Sequence, residues 1–536
     1  MVSGSDGTDR PRERMEVMSV EILSTGHAGL HLRTAGGSVL CDPWSTPAYL
    51  DSWFPFPANS WLPWDELGDC DYVYVSHLHR DHYDPALLAR HIRKSARVLL
   101  PDYRTTDLED ALRSIGFRHI IRCPNGEPIE LDGIRVMIQA LVSPADGPIG
   151  DSALAVDDGA VRVYDMNDAR PPDTSAIERF GIVDAHFLQF SGAIWFPMVY
   201  DFPQRARDAL ARQKRGRQLD RARRYVEAVS PRHVVPFAGP PCFLDEDLFE
   251  LNDLGGTDSN IFVDQTVFLD HLSEHDVPGG RLMVPGSVMT LHDGECEVSH
   301  PGPEPLRPFT SKREYLEEYA ARERPKIDLH RAERAALPRT RYLLGRLKSW
   351  WEPLLDGADR ICDGVGGPVL LDFGADRVVV DFPRRAVRLP EAGEKYRYQF
   401  EIARDLLEDV LHANETDWVN SLFLSLRFRA SRIGPYNEYI YTFFKCLSPE
   451  RVNYAEGWYA DRSGETETAT LGDWQVQKRC PHLKADLSRF GTLDDDDNLT
   501  CQMHGFRFDL RTGRCLTSDG YHIEAIRRQP AHNAAP

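Results

Sequence analysis

Residues 74–84 read YVSHLHRDHYD, and this stretch carries His77, His79, Asp81 and His82. The residues before it, DYVYV (Asp71–Val75), are β-branched and aromatic and predict a strand. Those after it, DPALLARHIRKS from Asp84, begin with a capping residue followed by proline and predict a helix. The four side chains therefore sit on a loop between strand and helix. His77 and His79 can converge on one metal ion, and Asp81 and His82 can face a second. Imidazole with carboxylate suits zinc, iron or manganese. The blander reading is a charged surface loop with incidental histidines. Four ligand side chains packed into one short loop behind a strand argue against it.

At 536 residues the chain is too long for one core, and about three domains is the natural expectation. Its composition, 42% hydrophobic and 27% charged, is that of a globular protein without a membrane-spanning run. The opening residues MVSGSDGTDRPRERM lack the apolar segment of a signal peptide, so a disordered tail over 1–16 and a cytoplasmic protein are expected. A net charge of −20 argues against non-specific nucleic-acid binding. Ten cysteines scattered over this length do not read as a disulfide framework. Cys41, Cys70, Cys123, Cys242, Cys296, Cys362 and Cys446 have no ligand-like spacing and read as buried thiols.

Outward from the loop, residues 17–290 alternate strand-like and helix-like segments. VEILSTGHAGLHLRTAGGSVLCDPW (Val20–Trp44) predicts two strands around Gly26 and a third ending at Asp42. Its G-H-A and D-P-W resemble the opening of a metallo-β-lactamase fold, so 17–290 is expected to be an αββα sandwich carrying the catalytic site. Residues 291–350 are expected to be a helical connector. Residues 351–449 predict a small α+β module, with strands in PVLLDFG and RVVVDFP and a helix in YQFEIARDLLEDVLHA; its outline faintly resembles a sterol-carrier-like fold. Residues 450–536 form the last unit, expected to be all-β. The chain as a whole is expected to be a multidomain α/β protein.

That last unit holds the second motif, CPHLKADLSRFGTLDDDDNLTCQMHGFRFD. Cys480 and His482 flank Pro481, and Cys501 and His504 are followed by Gly505. The pattern C-x-H…C-x-x-H-G resembles the Rieske [2Fe–2S] fingerprint. Cys480 and Cys501 would hold one iron, His482 and His504 the other. Two neutral imidazoles in place of thiolates raise the reduction potential to roughly −150 to +300 mV. A Cys₂His₂ zinc site is the rival. The two extra cysteines of respiratory Rieske proteins are absent, which resembles the oxygenase or ferredoxin type. The run Asp494–Asp497 reads as a solvated hairpin tip, with a docking surface for an electron donor as the sharper alternative.

A Rieske cluster moves single electrons and transforms no substrate. Only about 30 residues follow His504, too few for a catalytic domain. The electrons must therefore be used upstream, at His77–His82. Zinc has no redox chemistry, so that site is expected to hold non-haem iron, as one or two ions.

The remaining ligands are less legible. At the end of strand Val161–Tyr164 stand Asp165 and Asp168, and Asp168 is favoured because NDA occupies the place of the usual G-D-T turn. The loop SPADGPIGDS (Ser143–Ser152) lacks the expected histidine, leaving Asp151 or Asp146 as substitutes. After HVVP, where related hydrolases place the last histidine, stand Phe237 and Ala238. Two expected imidazoles are thus missing. His186 and His233 are open as replacements, with an ordinary structural role favoured for each.

Taken together, the two modules resemble the Rieske/metallo-β-lactamase-fold hydroxylases of nucleotide sugars. These are the sialic-acid hydroxylases acting on CMP-N-acetylneuraminate, in which the Rieske part comes first, and the actinobacterial UDP-N-acetylmuramate hydroxylases, to which this chain is more similar. The resemblance implies oxidation of an N-acetyl group to N-glycolyl by a monooxygenase using O₂, with NAD(P)H-derived electrons arriving through a separate ferredoxin and reductase. The absence of a dinucleotide fingerprint agrees with separate donors. A homo-oligomer is left open. Rival readings are a hydroxylase of another amide or sugar, a zinc metallo-hydrolase with a Rieske redox sensor, and an electron carrier whose lactamase-like part only binds partners. RARDALARQKRGRQLDRARR (Arg205–Arg224) could face a substrate diphosphate, the blander reading being a solvated helix face. WFPFPANSWLPW (Trp53–Trp64) could be a lid or simple interdomain packing.

Overall fold

The computed structural model describes residues 19–528 except 144–149, 256–257, 293, 462–466 and 519. The expected tail over 1–16 and Asp146 lie outside the described residues.

Two sheets face each other in the N-terminal half. One has eight strands, running from the hairpin Val288–His292/Glu295–Ser299 through Val20–Gly26, Gly29–Thr34, Gly37–Cys41, Tyr72–Tyr74 and Arg97–Pro101 to Ile120–Cys123. The other has six, with Arg162–Asn167, Ala185–Gln189 and His233–Phe237 parallel along one side. The last two strands are buried at every position, as parallel strands covered on both faces must be. Leu30, Val39 and Tyr74 from one sheet and Val136, Val163 and Phe187 from the other share the core between them. Leu87, Leu88, Leu108 and Leu112 of two helices pack outside the first sheet against Val73 and Val98. The long helix Gln204–Val229 and the helix Gln265–Glu274 cover the second. This is the αββα sandwich the sequence predicts, although its last hairpin runs to Ser299, past the expected boundary at 290.

A five-stranded sheet from Pro368–Asp372 to Phe428–Arg432 forms the middle module. The module differs from the sequence expectation in two places. YQFEI is the strand Tyr398–Ile402, and the helix begins only at Arg404. The helices Leu343–Asp356 and Pro449–Ala460 belong to this module, because Leu347, Trp351, Val452 and Ala455 pack into its core. Alternating burial decides the first point: Tyr398, Phe400 and Ile402 face inward, the period of a strand.

The C-terminal unit consists of two three-stranded sheets. Its Leu487 and Phe490 pack into the same cluster as Leu219, Tyr225 and Val226 of the long helix, which seats this unit on the outer face of the six-stranded sheet. Trp44, Tyr49, Trp53 and Trp195, from loops at one end of the sandwich, pack into the core of the middle module. All three units therefore meet at that end. In Trp53–Trp64, Phe54 and Phe56 pack edge-on against Tyr319 and Tyr315 of helix Lys312–Ala335, so this segment is interdomain packing over most of its length.

Candidate metal centre and cluster site

The strand Tyr72–Tyr74 ends at the motif loop, and the helix Pro85–His91 leaves it with Asp84 capping the Leu87 N–H at 3.0 Å. Held at both ends, the loop turns its side chains into the sandwich. His77 Nε2 and His79 Nδ1 lie 2.7 Å apart, and His77 Nε2 lies 3.4 Å from Asp151 Oδ1. His77, His79 and Asp168 each present a ligand atom within 4.8 Å of the others. His27, Asp81 and His82 form a second such group. His82 Nε2 is 3.7 Å from Asp81 Oδ2 and 3.5 Å from Asp168 Oδ2, so Asp168 stands between the groups.

His27 is the residue sequence reasoning missed. It was visible only as part of the G-H-A that marks the fold. Its Nε2 is 2.8 Å from Asp81 Oδ2, and its backbone carbonyl accepts a 2.9 Å hydrogen bond from the Ala238 N–H. The position after HVVP thus supports an imidazole supplied by the opposite sheet. Asp42, from D-P-W, orients the loop from behind. It accepts from Ser76 N at 2.7 Å and Ser76 Oγ at 2.6 Å, and its Oδ2 is 2.8 Å from His82 Nδ1. A carboxylate behind an imidazole fixes its tautomer and leaves Nε2 free to bind a metal. His82 Nε2 is buried without a hydrogen-bond partner, a buried polar atom whose cost a metal ion would remove. This donor set fits one or two divalent cations.

The electrostatics of the bare side chains agree. Burial, then His82, His79 and His27, hold His77 well below its usual range. Burial would raise the Asp81 carboxyl, yet His82 and His27 outweigh it and hold it low. His82 is raised by Asp168, Asp81 and Asp42 against the opposing effect of burial. Asp165 is buried among the core residues, raised by burial and by Asp42, and falls in neither ligand group. His186 stacks on Tyr164 at 5.1 Å, and burial pushes it down to about 3. His233 begins the strand beside Asp184 and Arg232. Neither histidine joins the ligand groups among the described residues.

In the C-terminal unit, Cys480 and Cys501 are both buried and interact directly. Burial first, and Cys501 second, push the Cys480 thiol up. The rings of His482 and His504 are 5.0 Å apart, and both Nδ1 atoms are buried without partners. His482 stacks on Phe506 at 3.8 Å, and its Nε2 lies 2.5 Å from Glu438 Oε2 of the middle module. Two thiols and two partnerless Nδ1 atoms brought together fit a [2Fe–2S] cluster. Gly505 takes φ +75°, a backbone conformation that favours glycine, and Arg217 Nη1 lies close over it.

The two sites open onto one cavity of about 460 Å³. His79, Asp81 and Asp168 line it from the sandwich, and His482 and His504 from the C-terminal unit. The two sites are also joined by polar contacts. The chain beyond Asp168 meets the cluster loops, where Asp486 N donates to Pro172 O at 2.9 Å and Arg479 pairs with Asp173 at 3.0 Å.

The Rieske [2Fe-2S] domain family matches residues 472–522, and the Rv3818-like, SCP2-like domain family matches 343–461. A Mycobacterium tuberculosis protein named for a Rieske 2Fe-2S iron–sulfur centre, Rv3818, is 49% identical over 523 residues, covering 95% of this chain and all of the relative. The chain belongs to this Rieske iron–sulfur family. The cytidine monophosphate-N-acetylneuraminic acid hydroxylase of Mus musculus is 25% identical over 250 residues, 44% of this chain and 41% of that protein. Among solved structures, CmlA, a diiron β-hydroxylase from Streptomyces venezuelae, aligns over 52% of this chain and 54% of its own, with 20% identity and a TM-score of 0.34. Igni18, a metallo hydrolase from Ignicoccus hospitalis, covers 51% and 99%, with 18% identity and a TM-score of 0.36. The faint sterol-carrier likeness of the middle module thus has a counterpart in the SCP2-like match. No helix among the described residues is long and apolar enough to cross a membrane.

Proposed function

We propose that this protein is a Rieske-coupled, non-haem-iron monooxygenase that hydroxylates the N-acetyl group of a nucleotide sugar to N-glycolyl, with UDP-N-acetylmuramate as the first candidate. The observation that carries the reading is the shared cavity: the histidine loops of a one-electron carrier and a His/Asp group suited to metal line the same space. The named activity of the mouse relative supports the substrate class. His77, His79 and Asp168, with Asp151, would hold one ion. His27, Asp81 and His82 would hold the second. Cys480 and Cys501 would hold one cluster iron, and His482 and His504 the other through Nδ1.

Bound iron supplies the reductive O₂ chemistry that an inert methyl C–H bond requires and zinc cannot provide. One oxygen atom goes to product and one to water, so each turnover consumes two electrons and two protons. The chain's part is to position and to exclude. Asp42 and Ser76 hold the His77–His82 loop in register. Gln189 donates to Asp168 Oδ1 at 2.7 Å and fixes the carboxylate between the two ligand groups. Trp53 and Tyr49, both buried, line the cavity beside the His79–Asp81 loop and would limit water there. The hydroxyl of Tyr49 donates to Asp81 Oδ1 and stands ready to hold a proton beside the centre. Electrons would enter from a separate ferredoxin and reductase.

The test is a panel of nucleotide sugars incubated with the iron-loaded protein, O₂ and a reductant, read by mass spectrometry. A product heavier by one oxygen atom, carried on the acyl group, is expected. Full activity with stoichiometric zinc, or hydrolysis without O₂ uptake, would overturn the reading.

A further inference from the structure

The helix Gln204–Val229 has two populations of basic residues. Three of its arginines are paired with acids: Arg212 with Asp258 at 3.2 Å, Arg215 with Asp253 at 2.8 Å, and Arg223 with Glu227 one turn on. Lys214, Arg217 and Arg221 lie on another face at helical spacing, and all three line the cavity, joined by Arg170 from the loop after Asp168. Among the described residues none of these four makes an ion pair. Arg221 is buried. Its Nη1 donates to Met503 O at 3.3 Å, and its Nη2 has no partner. Arg170 Nη2 donates to Gln189 Oε1 at 2.8 Å, while its Nε is buried and partnerless. Burial first, then Arg170, Arg221 and Arg217, push Lys214 down to about 7, as expected of a cation confined among cations. The carboxylates on the same cavity face other partners: Asp81 faces His27, Asp151 faces His77, Asp168 faces His82 and Gln189, and Glu438 faces His482.

Clustered, partly desolvated cations without ion-pair partners are costly. Guanidinium forks match phosphate oxygens in pairs, and several cations on one wall suit an anion carrying more than one charge. We propose that Arg170, Lys214, Arg217 and Arg221 form a nucleoside-diphosphate subsite between the metal centre and the cluster loops. The subsite deepens the sugar-nucleotide reading above and rests on it for the rest of the substrate. It makes the substrate's phosphates part of the contact between units, because Arg221 and Arg217 already touch the cluster loop at Met503 and Gly505.

Isothermal titration of the full-length protein with UDP, inorganic pyrophosphate and uridine tests this without turnover. UDP and pyrophosphate should bind saturably, and uridine at least about 100-fold more weakly than UDP. Arg217→Gln, at an exposed position, and Lys214→Met should each weaken UDP about tenfold while the cluster's paramagnetic resonance spectrum is retained. Uridine binding as tightly as UDP, or unchanged UDP affinity in Arg217→Gln, overturns the subsite; if Lys214→Met misfolds, Arg217→Gln still decides. Tight UDP binding with no oxygenated product from any nucleotide sugar would keep the subsite and remove the hydroxylase reading. Oxygenated product with an unchanged KM in Arg217→Gln would do the reverse.

Discussion

The proposed cluster ligands all lie between Cys480 and His504, on two loops that belong to one small unit. The proposed metal centre is assembled differently: His27 comes from the turn after the first strand, the motif loop supplies four groups, and Asp151 and Asp168 come from the facing sheet. One site is local and the other is held by the packing of two sheets. A local site is specified by a short pattern and tolerates change elsewhere in the chain. A distributed site depends on the register of strands far apart in sequence, and its geometry carries the strain of every element that contributes.

The largest expected effect separates the two. His79→Ala removes an imidazole whose Nδ1 sits 2.7 Å from His77 Nε2. Hydroxylation should fall to background, more than about 1,000-fold, while the reduced cluster keeps a mixed Cys/His resonance spectrum. Retained hydroxylation would place the chemistry elsewhere. Removing the metal with a chelator should have the same outcome, and added iron should restore turnover to the wild type but not to the variant.

The same contrast explains what could be read from the sequence. H-x-H-x-D-H is contiguous and C-x-H…C-x-x-H-G consists of two short runs within one unit, so the residue types and their spacing carry the chemistry. Asp168 could be proposed because it directly follows a recognisable strand. His27 could not, because its approach to Asp81 depends on the pairing of Val20–Gly26 and the contact with Ala238, and neither leaves a mark near the motif. Glu438 was invisible for the same reason: it reaches His482 from a different unit, across the cavity. The strand Tyr398–Ile402 was misread because Glu401 and the helix formers that follow it mask a short alternating run.

A middle-sized effect tests the distributed site from behind. Asp42→Asn keeps the side chain's volume but removes the charge facing His82 Nδ1 and Ser76. Partners behind a metal-bound imidazole typically contribute 10–100-fold in metal affinity. Asp42→Asn should therefore lower iron retention by about that factor, measured by metal analysis after dialysis, with the cluster's iron unchanged. Equal loss from both sites would mean that the two centres are not independently built.

Glu438→Gln probes the junction. Gln retains an acceptor for His482 Nε2, so the cluster should still assemble. The negative carboxylate favours the oxidised, more positive cluster, and its loss should raise the reduction potential and make the cluster a weaker donor. Turnover with the natural donor should fall about tenfold, at the lower end of the range for partners behind a ligand. An unchanged potential would show that the 2.5 Å contact belongs to packing alone.

The smallest effect is expected at the acidic hairpin, and it decides between the two readings of Asp494–Asp497. Two of the four acids are committed within the unit. Arg507 pairs with Asp494, and Asp497 accepts from Trp474 Nε1 at 2.9 Å and pairs with Arg511 at 3.0 Å. Asp494 Oδ1 also accepts from the Asp496 and Asn498 N–H groups at 3.0 and 2.9 Å, the local bonding of a tight turn. This leaves the Asp495 and Asp496 side chains to meet a donor. As a solvated turn, the hairpin should tolerate Asp496→Asn within about a factor of two in kcat/KM for the reduced donor, the range of an unremarkable surface substitution. A donor-docking surface would behave otherwise. The variant would lose association rate at low salt, and the difference from the wild type would shrink as ionic strength rises, because screening removes the attraction the charge supplied. A salt-dependent loss would therefore move the hairpin from a local turn to an interface, and extend the cluster unit's function beyond the residues that line the cavity.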